Sequence, residues 1–137
     1  MVKRVRFVSR SQAEDTLGIA DCAVISISEP NSFLDLADLK QGWFEVLRME
    51  FDDVDPETCR DKTNKFMTIH QARVIAAFVD SVSPKVNAIV VHCKGGVSRS
   101  AAVAKWIAER YGLPFDHHYN SYNRHVYKLL DFLEALP

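Results

Sequence analysis

The sequence predicts an α/β fold, with a central, largely parallel sheet of four or five strands flanked by helices. Short apolar runs alternate with longer stretches of helical periodicity, which is typical of this class. The chain has 137 residues, of which 47% are hydrophobic and 26% charged, as in an ordinary globular protein of one domain. We therefore expect residues 1–137 to form a single domain. A strand, a glycine turn and a helix follow one another in "VVHCKGGVSRS", residues 90–100.

Four apolar runs predict the strands. They are rich in β-branched and aromatic residues and lie at residues 5–9, 22–28, 43–51 and 87–93. The first alternates as an edge strand does, and the turn sequence Glu-Pro-Asn follows the second. The third places Leu47, Met49 and Phe51 on one face. The fourth, "NAIVVHC", is continuously apolar, which places it at the centre of the sheet.

Two helices are predicted before the fourth strand. Thr68, with Gln71 three residues later, has the pattern of a capping box, and Pro84 gives a stop, so we expect a helix over about residues 68–82. Ser11, with a glutamate three residues later, predicts the start of a short earlier helix in the same way.

Two more helices follow the fourth strand. From Ser100, apolar residues recur at helical spacing until Gly112 and Pro114 give exit signals. The last helix, over about residues 121–135, shows one apolar stripe, which consists of Val126, Leu129, Leu130 and Leu133. We expect both tryptophans, Trp43 and Trp106, to belong to the core.

Composition excludes several classes of protein. A net charge of -1 argues against a nucleic-acid binder, and no apolar run is long enough to span a membrane. No apolar stretch follows the basic N-terminus, so we expect no signal peptide, and three cysteines without framework spacing indicate reduced thiols and a cytoplasmic protein. The adjacent histidines of "FDHHYN" point in different directions, so we expect neither a metal nor a cofactor.

The strand, turn and helix around Cys93 predict an anion site. Backbone N–H groups in the turn and the positive end of the helix both attract an anion. Gly95 and Gly96 let the chain curl without Cβ clashes. The same field favours a thiolate at Cys93, because cysteines at helix N-termini titrate at about 3.5–7.5 rather than near 8.5.

The side chains next to this thiol complete the predicted site. The planar fork of Arg99 is suited to two phosphate oxygens at once, so we expect it to close the ring around the anion. His92 points away from the turn if the strand alternates, and is expected to hold the backbone of Cys93. Ser100 either donates to the sulfur or serves only as a helix N-cap. The predicted phosphate-binding residues are Lys94, Gly95, Gly96, Val97, Ser98 and Arg99.

The stretch "HCKGGVSRS" resembles the H-C-x-x-G-x-x-R-S/T signature loop of the cysteine-based protein phosphatases, and the short chain is most similar to their dual-specificity branch. Gly95 stands where alanine is common in that family. The resemblance implies a phosphorylated protein or peptide as substrate and a two-step reaction without metal or cofactor. In it, Cys93 attacks phosphorus and water hydrolyses the phosphocysteine.

The resemblance also implies an aspartate as general acid, on the loop after the strand that precedes the signature strand. That place is "MEFDDVDPE", where Asp53 matches best, Asp52 next and Asp55 third. The distance from Asp53 to the signature cysteine is about forty residues, longer than in the small members of the family, so we expect an enlarged loop at residues 56–66. Asp61 lies nearer the usual spacing, but within this polar loop.

Alternative functions remain open on the same loop. A phosphoinositide phosphatase, an RNA 5'-triphosphatase and a catalytically weak phosphoprotein-binding module share the signature. Only Lys94 is basic between the signature cysteine and arginine, which favours a phosphoprotein over a lipid. The sequence does not distinguish phosphotyrosine from phosphoserine or phosphothreonine, and it does not indicate an oligomeric state.

Two further interpretations concern residues distant from the loop. Oxidation could join Cys93 to Cys22 or Cys59 in a protective disulfide. The segment "YNRHVYKLL" is similar to one near the end of the family's domains, and this similarity implies that Asn123 or Arg124 helps to brace the signature loop.

Overall fold

A parallel β-sheet forms the centre of the protein. The computed structural model describes residues 1–30, 35–61 and 63–135, and within these ranges the strands are β1 (Arg4–Ser9), β2 (Cys22–Ser28), β3 (Val46–Glu50) and β4 (Ala88–Cys93). They lie in the order β1-β4-β2-β3, and each neighbouring pair is parallel. The predicted α/β fold is confirmed. β3 is shorter than predicted at both ends, and Asn31 of the predicted turn lies outside the described residues.

This strand order brings one set of strand ends together. β2 and β4 are interior strands, and all of their residues are buried, as predicted for the continuously apolar run of β4. β1 is at the edge, also as predicted. Because all pairs are parallel, the carboxyl ends of the strands meet at one edge of the sheet, where open α/β sheets bind ligands. Cys93, at the end of β4, lies at this edge.

The helices in the described ranges are α1 (Arg10–Asp15), α2 (Ile69–Val82), α3 (Arg99–Tyr111) and α4 (Arg124–Ala135). Both hydrogen bonds of the predicted capping box at the start of α2 are present. α3 ends at Gly112, whose φ of 67° is left-handed, and α4 begins three residues later than predicted. None of the helices in these ranges has the length and apolar character needed to cross a membrane.

The predicted cap of α1 is wrong by two residues. The N-cap is Ser9, whose hydroxyl accepts from the N–H of Gln12, while the Gln12 side chain accepts from the N–H of Ser9. Ser11 therefore lies inside the helix, and Glu14 forms an ion pair with Arg10. The helix begins early because β1 ends at Ser9, which is itself extended and leads directly into the first turn.

The two faces of the sheet carry separate cores. The larger contains α2, α3 and α4, with the fully buried Trp106, and the smaller lies on the side of α1, where Trp43 is partly buried. Side chains alternate along β4, so that Cys93 belongs to the larger core. His92 therefore points to the opposite face of the sheet, as predicted.

Candidate active site

Cys93 is a buried thiol in a field that favours its anion. Its side chain lies at the end of β4, the residue is 2% exposed, and its Sγ is 3.1 Å from the Oγ of Ser100. Burial alone raises the pKa of Cys93, but hydrogen bonds from the Ser100 hydroxyl and from the N–H groups of Ser100 and Gly96, together with the charge of Arg99, bring the pKa below its ordinary value. The contact predicted between Ser100 and the sulfur is present. Ser100 is not the N-cap, which is Ser98.

Only one of the two glycines in the loop is required by its geometry. Gly96 has a φ of +67°, and a Cβ on it would lie 2.3 Å from the N of Ser9. Any side chain there collides with the end of β1. A Cβ on Gly95 would lie 4.0 Å from its nearest neighbour, a methyl group of Val97, and no positive φ is involved. The turn therefore requires glycine at position 96, whereas at Gly95 alanine, the residue common there in the phosphatase family that the loop resembles, also fits.

Arg99 is anchored from two other strand ends. Its Nη1 donates to the carbonyl of Phe51 at 2.9 Å, and its Nη2 donates to Oε1 of Glu29 at 2.9 Å. The residue is 4% exposed, and its buried Nε has no partner among the described residues. An unsatisfied buried donor costs about 1–3 kcal/mol, so this N–H is a donor that an anion in the loop can satisfy. The arginine predicted to close the ring around the anion is thus held by residues that directly follow β2 and β3.

Glu29 was not identified from the sequence. It follows β2 directly, its side chain is 44% exposed, and it forms an ion pair with Arg99. Burial raises the pKa of Glu29, but the hydrogen bond from Arg99, with the charges of Arg99 and Lys94, lowers it overall. The one signal available was its position, a charged residue at the carboxyl end of a central strand.

Asp53 is the acidic candidate that contacts the loop. Its Oδ1 accepts from the hydroxyl of Ser98 at 2.7 Å and from Nδ2 of Asn123 at 2.9 Å. The side chain is exposed. Both donors lie on the same oxygen, and Oδ2 has no hydrogen-bond partner among the described residues.

The other acidic candidates accept hydrogen bonds in the enlarged loop or directly before it. The N–H of Asp52 donates to the carbonyl of Lys65, and Oδ2 of Asp52 accepts from the N–H of Lys65, which closes the base of the loop. Asp55 and Asp61 each accept from the backbone N–H two residues later. These carboxylates therefore stabilise turns, and the structure places Asp53 alone of the four in hydrogen-bond contact with the signature loop among the described residues.

Asn123 joins the acid, the loop and α4. Its backbone N–H donates to the carbonyl of Ser98 at 3.1 Å, its Nδ2 donates to Asp53, and its Oδ1 accepts from the N–H of Val126 in the first turn of α4. It is 7% exposed. Of the two residues expected to brace the loop, Asn123 makes the contact, whereas Arg124 donates to the carbonyl of Asn120.

His92 is fixed on the face of the sheet opposite Cys93. Its Nε2 lies 2.6 Å from the Oγ of Ser26, and the residue is fully buried. Burial lowers the pKa of His92, which favours a neutral ring. Ser26 was not identified from the sequence, because its partner lies on the neighbouring strand.

The geometry separates Cys22 from Cys93. Cys22 is opposite Ala88, at the start of β4, whereas Cys93 is at its end. Five residues of strand span about 17 Å, while a disulfide needs Cα atoms about 4.4–6.8 Å apart. A bond between Cys22 and Cys93 is therefore excluded in the folded protein. Cys59 lies in the enlarged loop, where its sulfur accepts from Nδ2 of Asn64.

The histidine pair of "FDHHYN" takes part in a turn. Asp116 accepts from the backbone N–H of His118. Across the described residues, no group of three or more His, Cys, Asp or Glu side chains is arranged to hold a metal ion.

Comparison with known proteins supports the fold. No protein-family model matches the sequence, and no curated protein matches it significantly. The chain is similar to the crystal structure of human tyrosine phosphatase-like serine/threonine/tyrosine-interacting protein. The TM-score is 0.64 and the identity 20%, and the alignment covers 96% of this chain and 91% of that chain. At this identity, the similarity shows a phosphatase-like fold.

Proposed function

We propose that the protein is a phosphatase that hydrolyses phosphotyrosine, and also phosphoserine and phosphothreonine, through a phosphocysteine intermediate. The observation that carries the proposal is a buried thiol with a lowered pKa beside an arginine whose buried Nε has no partner among the described residues. A thiolate is the reactive form of cysteine, and an unsatisfied guanidinium N–H next to it suits a phosphate oxygen.

In the first step, the sulfur of Cys93 attacks phosphorus and the bond to the phenolic oxygen breaks. That oxygen leaves with the electron pair of the broken bond and takes a proton from Oδ2 of Asp53. The N–H groups of the loop and Arg99 bind the phosphoryl oxygens as charge develops on them. Ser98 and Asn123 hold Asp53 in position, since both donate to its other oxygen.

In the second step, water replaces the sulfur. The carboxylate of Asp53 takes a proton from the attacking water, the new P–O bond forms, and the S–P bond breaks to release inorganic phosphate and the thiolate. The hydroxyl of Ser100, 3.1 Å from Sγ, stabilises the sulfur as it regains negative charge. The cycle regenerates the thiolate of Cys93 and the protonated carboxyl group of Asp53, so it requires no cofactor.

The decisive variant is Cys93→Ser. We expect it to abolish release of p-nitrophenol from p-nitrophenyl phosphate while retaining the binding of vanadate, because the cradle of N–H groups and Arg99 is intact. Cys22→Ser is the matched control, since Cys22 is buried at the far end of the same sheet. Normal turnover by Cys93→Ser would refute the nucleophile.

Asp53→Asn tests the acid separately. We expect a larger loss of rate on phenyl phosphate, whose strongly basic leaving group must take a proton, than on p-nitrophenyl phosphate, whose less basic leaving group depends less on protonation. Asp52→Asn is the control. If Asp52→Asn shows this dependence and Asp53→Asn does not, the acid is Asp52.

A panel of substrates separates the alternative functions. It comprises a phosphotyrosine peptide, a phosphoserine peptide, an inositol phospholipid and a 5'-triphosphorylated RNA, each scored by phosphate release. We expect the phosphotyrosine peptide to be the best substrate. Faster release from the lipid or the RNA would replace the proposed substrate class, and binding of the peptide without release would indicate a phosphoprotein-binding module.

A further inference from the structure

The enlarged loop contains a pocket that the proposed reaction does not use. It has a volume of about 260 Å³ and is lined by Pro56, Cys59, Asp61, Asn64 and Phe66. We call it the side pocket. Small-molecule sites are usually about 300–1,000 Å³, so a space of this size suits a single side chain better than a whole ligand.

The side pocket lies close to the proposed acid. Its first residue, Pro56, is three positions after Asp53, so their Cα atoms are at most about 11 Å apart. Nδ2 of Asn123 donates to the carbonyl of Val54 as well as to Asp53, which fixes the start of this segment beside the signature loop. An extended peptide advances about 3.3 Å per residue. A side chain one to three positions from a phosphorylated residue can therefore reach the side pocket.

The far wall of the side pocket is fixed by α4. The ring of Phe66 is 44% exposed and meets the ring of His125 edge-on, with centroids 5.4 Å apart. The Nε2 of His125 is in turn 2.7 Å from the carbonyl of Met67. Phe66 is thus held in place and still presents aromatic surface to solvent.

The side pocket offers two hydrogen-bond acceptors, a carboxylate oxygen of Asp61 and the amide oxygen of Asn64. The backbone N–H and the hydroxyl of Thr63 both donate to Oδ1 of Asp61, and these bonds lower the pKa of Asp61. No described residue donates a hydrogen bond to Oδ2 of Asp61, which is available to a ligand. One N–H of the Asn64 amide donates to the sulfur of Cys59, and the amide oxygen is available as an acceptor. The thiol of Cys59 donates to the carbonyl of Asp61.

The charge of the lining agrees with this pattern. Among the described residues that line the side pocket, Asp61 has a carboxylate and none is a cation. A carboxylate oxygen, an amide oxygen and an aromatic face are together complementary to a guanidinium or an ammonium group, which carry only donors and bind aromatic faces.

We propose that the side pocket binds the arginine or lysine side chain of a residue that flanks the phosphorylated residue of the substrate. The proposal rests on the proposed function, because it assigns the pocket to the same bound peptide. It makes the enlarged loop the element that selects basic phosphopeptides.

Phosphotyrosine peptides that differ at one flanking residue test the proposal. Arginine, alanine or glutamate is placed at each of the three positions on either side, and kcat/KM is measured by phosphate release. An exposed ion pair is weak, and a cation–π contact adds to it, so we expect arginine to exceed alanine about fivefold at one position at least, and glutamate to be the poorest. Equal rates for arginine and alanine at all six positions would overturn the proposal.

Two variants test whether the side pocket causes the preference for arginine over alanine. Asp61→Asn keeps an oxygen for the bonds from Thr63 but removes the charge, and Phe66→Leu keeps apolar bulk but removes the aromatic face. Each should lower the ratio of arginine to alanine peptide severalfold. Asp131→Asn, on the exposed surface of α4, changes the net charge equally and should leave the ratio as in the wild type. An unchanged ratio in both pocket variants would overturn the proposal.

The small substrate separates this proposal from the proposed function. p-Nitrophenyl phosphate has no flanking residue, so its hydrolysis by the wild type tests the phosphatase alone. An equal loss in Asp61→Asn on this substrate would assign Asp61 to the chemical step and overturn the side-pocket assignment. If the wild type hydrolyses neither substrate, the same peptides with a non-hydrolysable phosphonate, followed by fluorescence polarisation, give the affinity ratio directly.

Discussion

Replacing Glu29 tests whether its ion pair with Arg99 orients this arginine for its proposed role in binding phosphate. Exposed ion pairs contribute about 0.2–1 kcal/mol, and loss of one partner of a buried pair costs about 3–5 kcal/mol. The Arg99 side chain is 5% exposed and that of Glu29 is 44% exposed, so the pair lies between these limits. We expect Glu29→Ala to cost about 1.5 kcal/mol, or about tenfold in kcat/KM. Glu29→Gln should cost less, about threefold, because it keeps an acceptor for Nη2.

The division between kcat and KM distinguishes orientation from binding. Without Glu29, the site has one negative charge fewer, so a phosphate dianion should bind at least as well and KM should not rise. The loss should therefore appear in kcat. The same change leaves the charge of Arg99 less compensated, which should lower the pKa of Cys93 further and move the rising limb of the pH–rate profile to lower pH.

Steady-state kinetics on p-nitrophenyl phosphate between pH 4 and 8 provide both measurements. Glu45→Gln, at an exposed position before β3, is the control for loss of a carboxylate. Circular dichroism melts show whether Glu29→Ala is folded at the assay temperature. If the folded variant has the kcat and the pH profile of the wild type, Glu29 does not orient Arg99, and Phe51 alone suffices.

Three further predictions concern the loop. Ser100→Ala removes the hydroxyl hydrogen bond to the sulfur, so the pKa of Cys93 should rise, and thiolate absorbance at 240 nm should appear at higher pH than in the wild type. Gly96→Ala combines a left-handed φ with a Cβ contact of 2.3 Å and should lower the free energy of unfolding by more than about 2 kcal/mol in urea titrations. Gly95→Ala has room for its methyl group and should be neutral or stabilise by up to about 1 kcal/mol in the same titrations.

The fold was predictable because its signals are local. The continuous apolar run of β4 follows from burial on both faces, and the capping box at Thr68 depends on residues only three positions apart. α1 shows the limit of this reasoning. Ser9 and Ser11 both have suitable side chains, and the choice between them depends on where β1 ends, which its pairing with β4 determines.

From the residues alone, the site was predictable only where it is contiguous in sequence, whereas Asp53 and Asn123 were expected through the family resemblance. Cys93, Gly96 and Ser100 lie within eight residues, and the chemistry of each follows from the strand, turn and helix. Glu29 was missed, since it meets Arg99 from 70 residues away in the sequence, and Asn123 was expected only through the family resemblance of its segment, since its partner Asp53 is also 70 residues away. Such contacts depend on strand order and on the packing of α4, which periodicity does not reveal.

The long-range contacts also explain why the loop can hold a charged sulfur within the core. A buried thiolate is unfavourable unless donors are fixed around it before the charge forms, because their reorganisation would consume the stabilisation they provide. Here Arg99 is fixed by Glu29 and by the carbonyl of Phe51, and Ser98 is fixed by the backbone N–H of Asn123. The parallel sheet brings these anchors to one edge. In the proposed reaction, a substrate phosphate would therefore meet donors already in place, and the free energy of binding would be available for aligning phosphorus with sulfur rather than for ordering the protein.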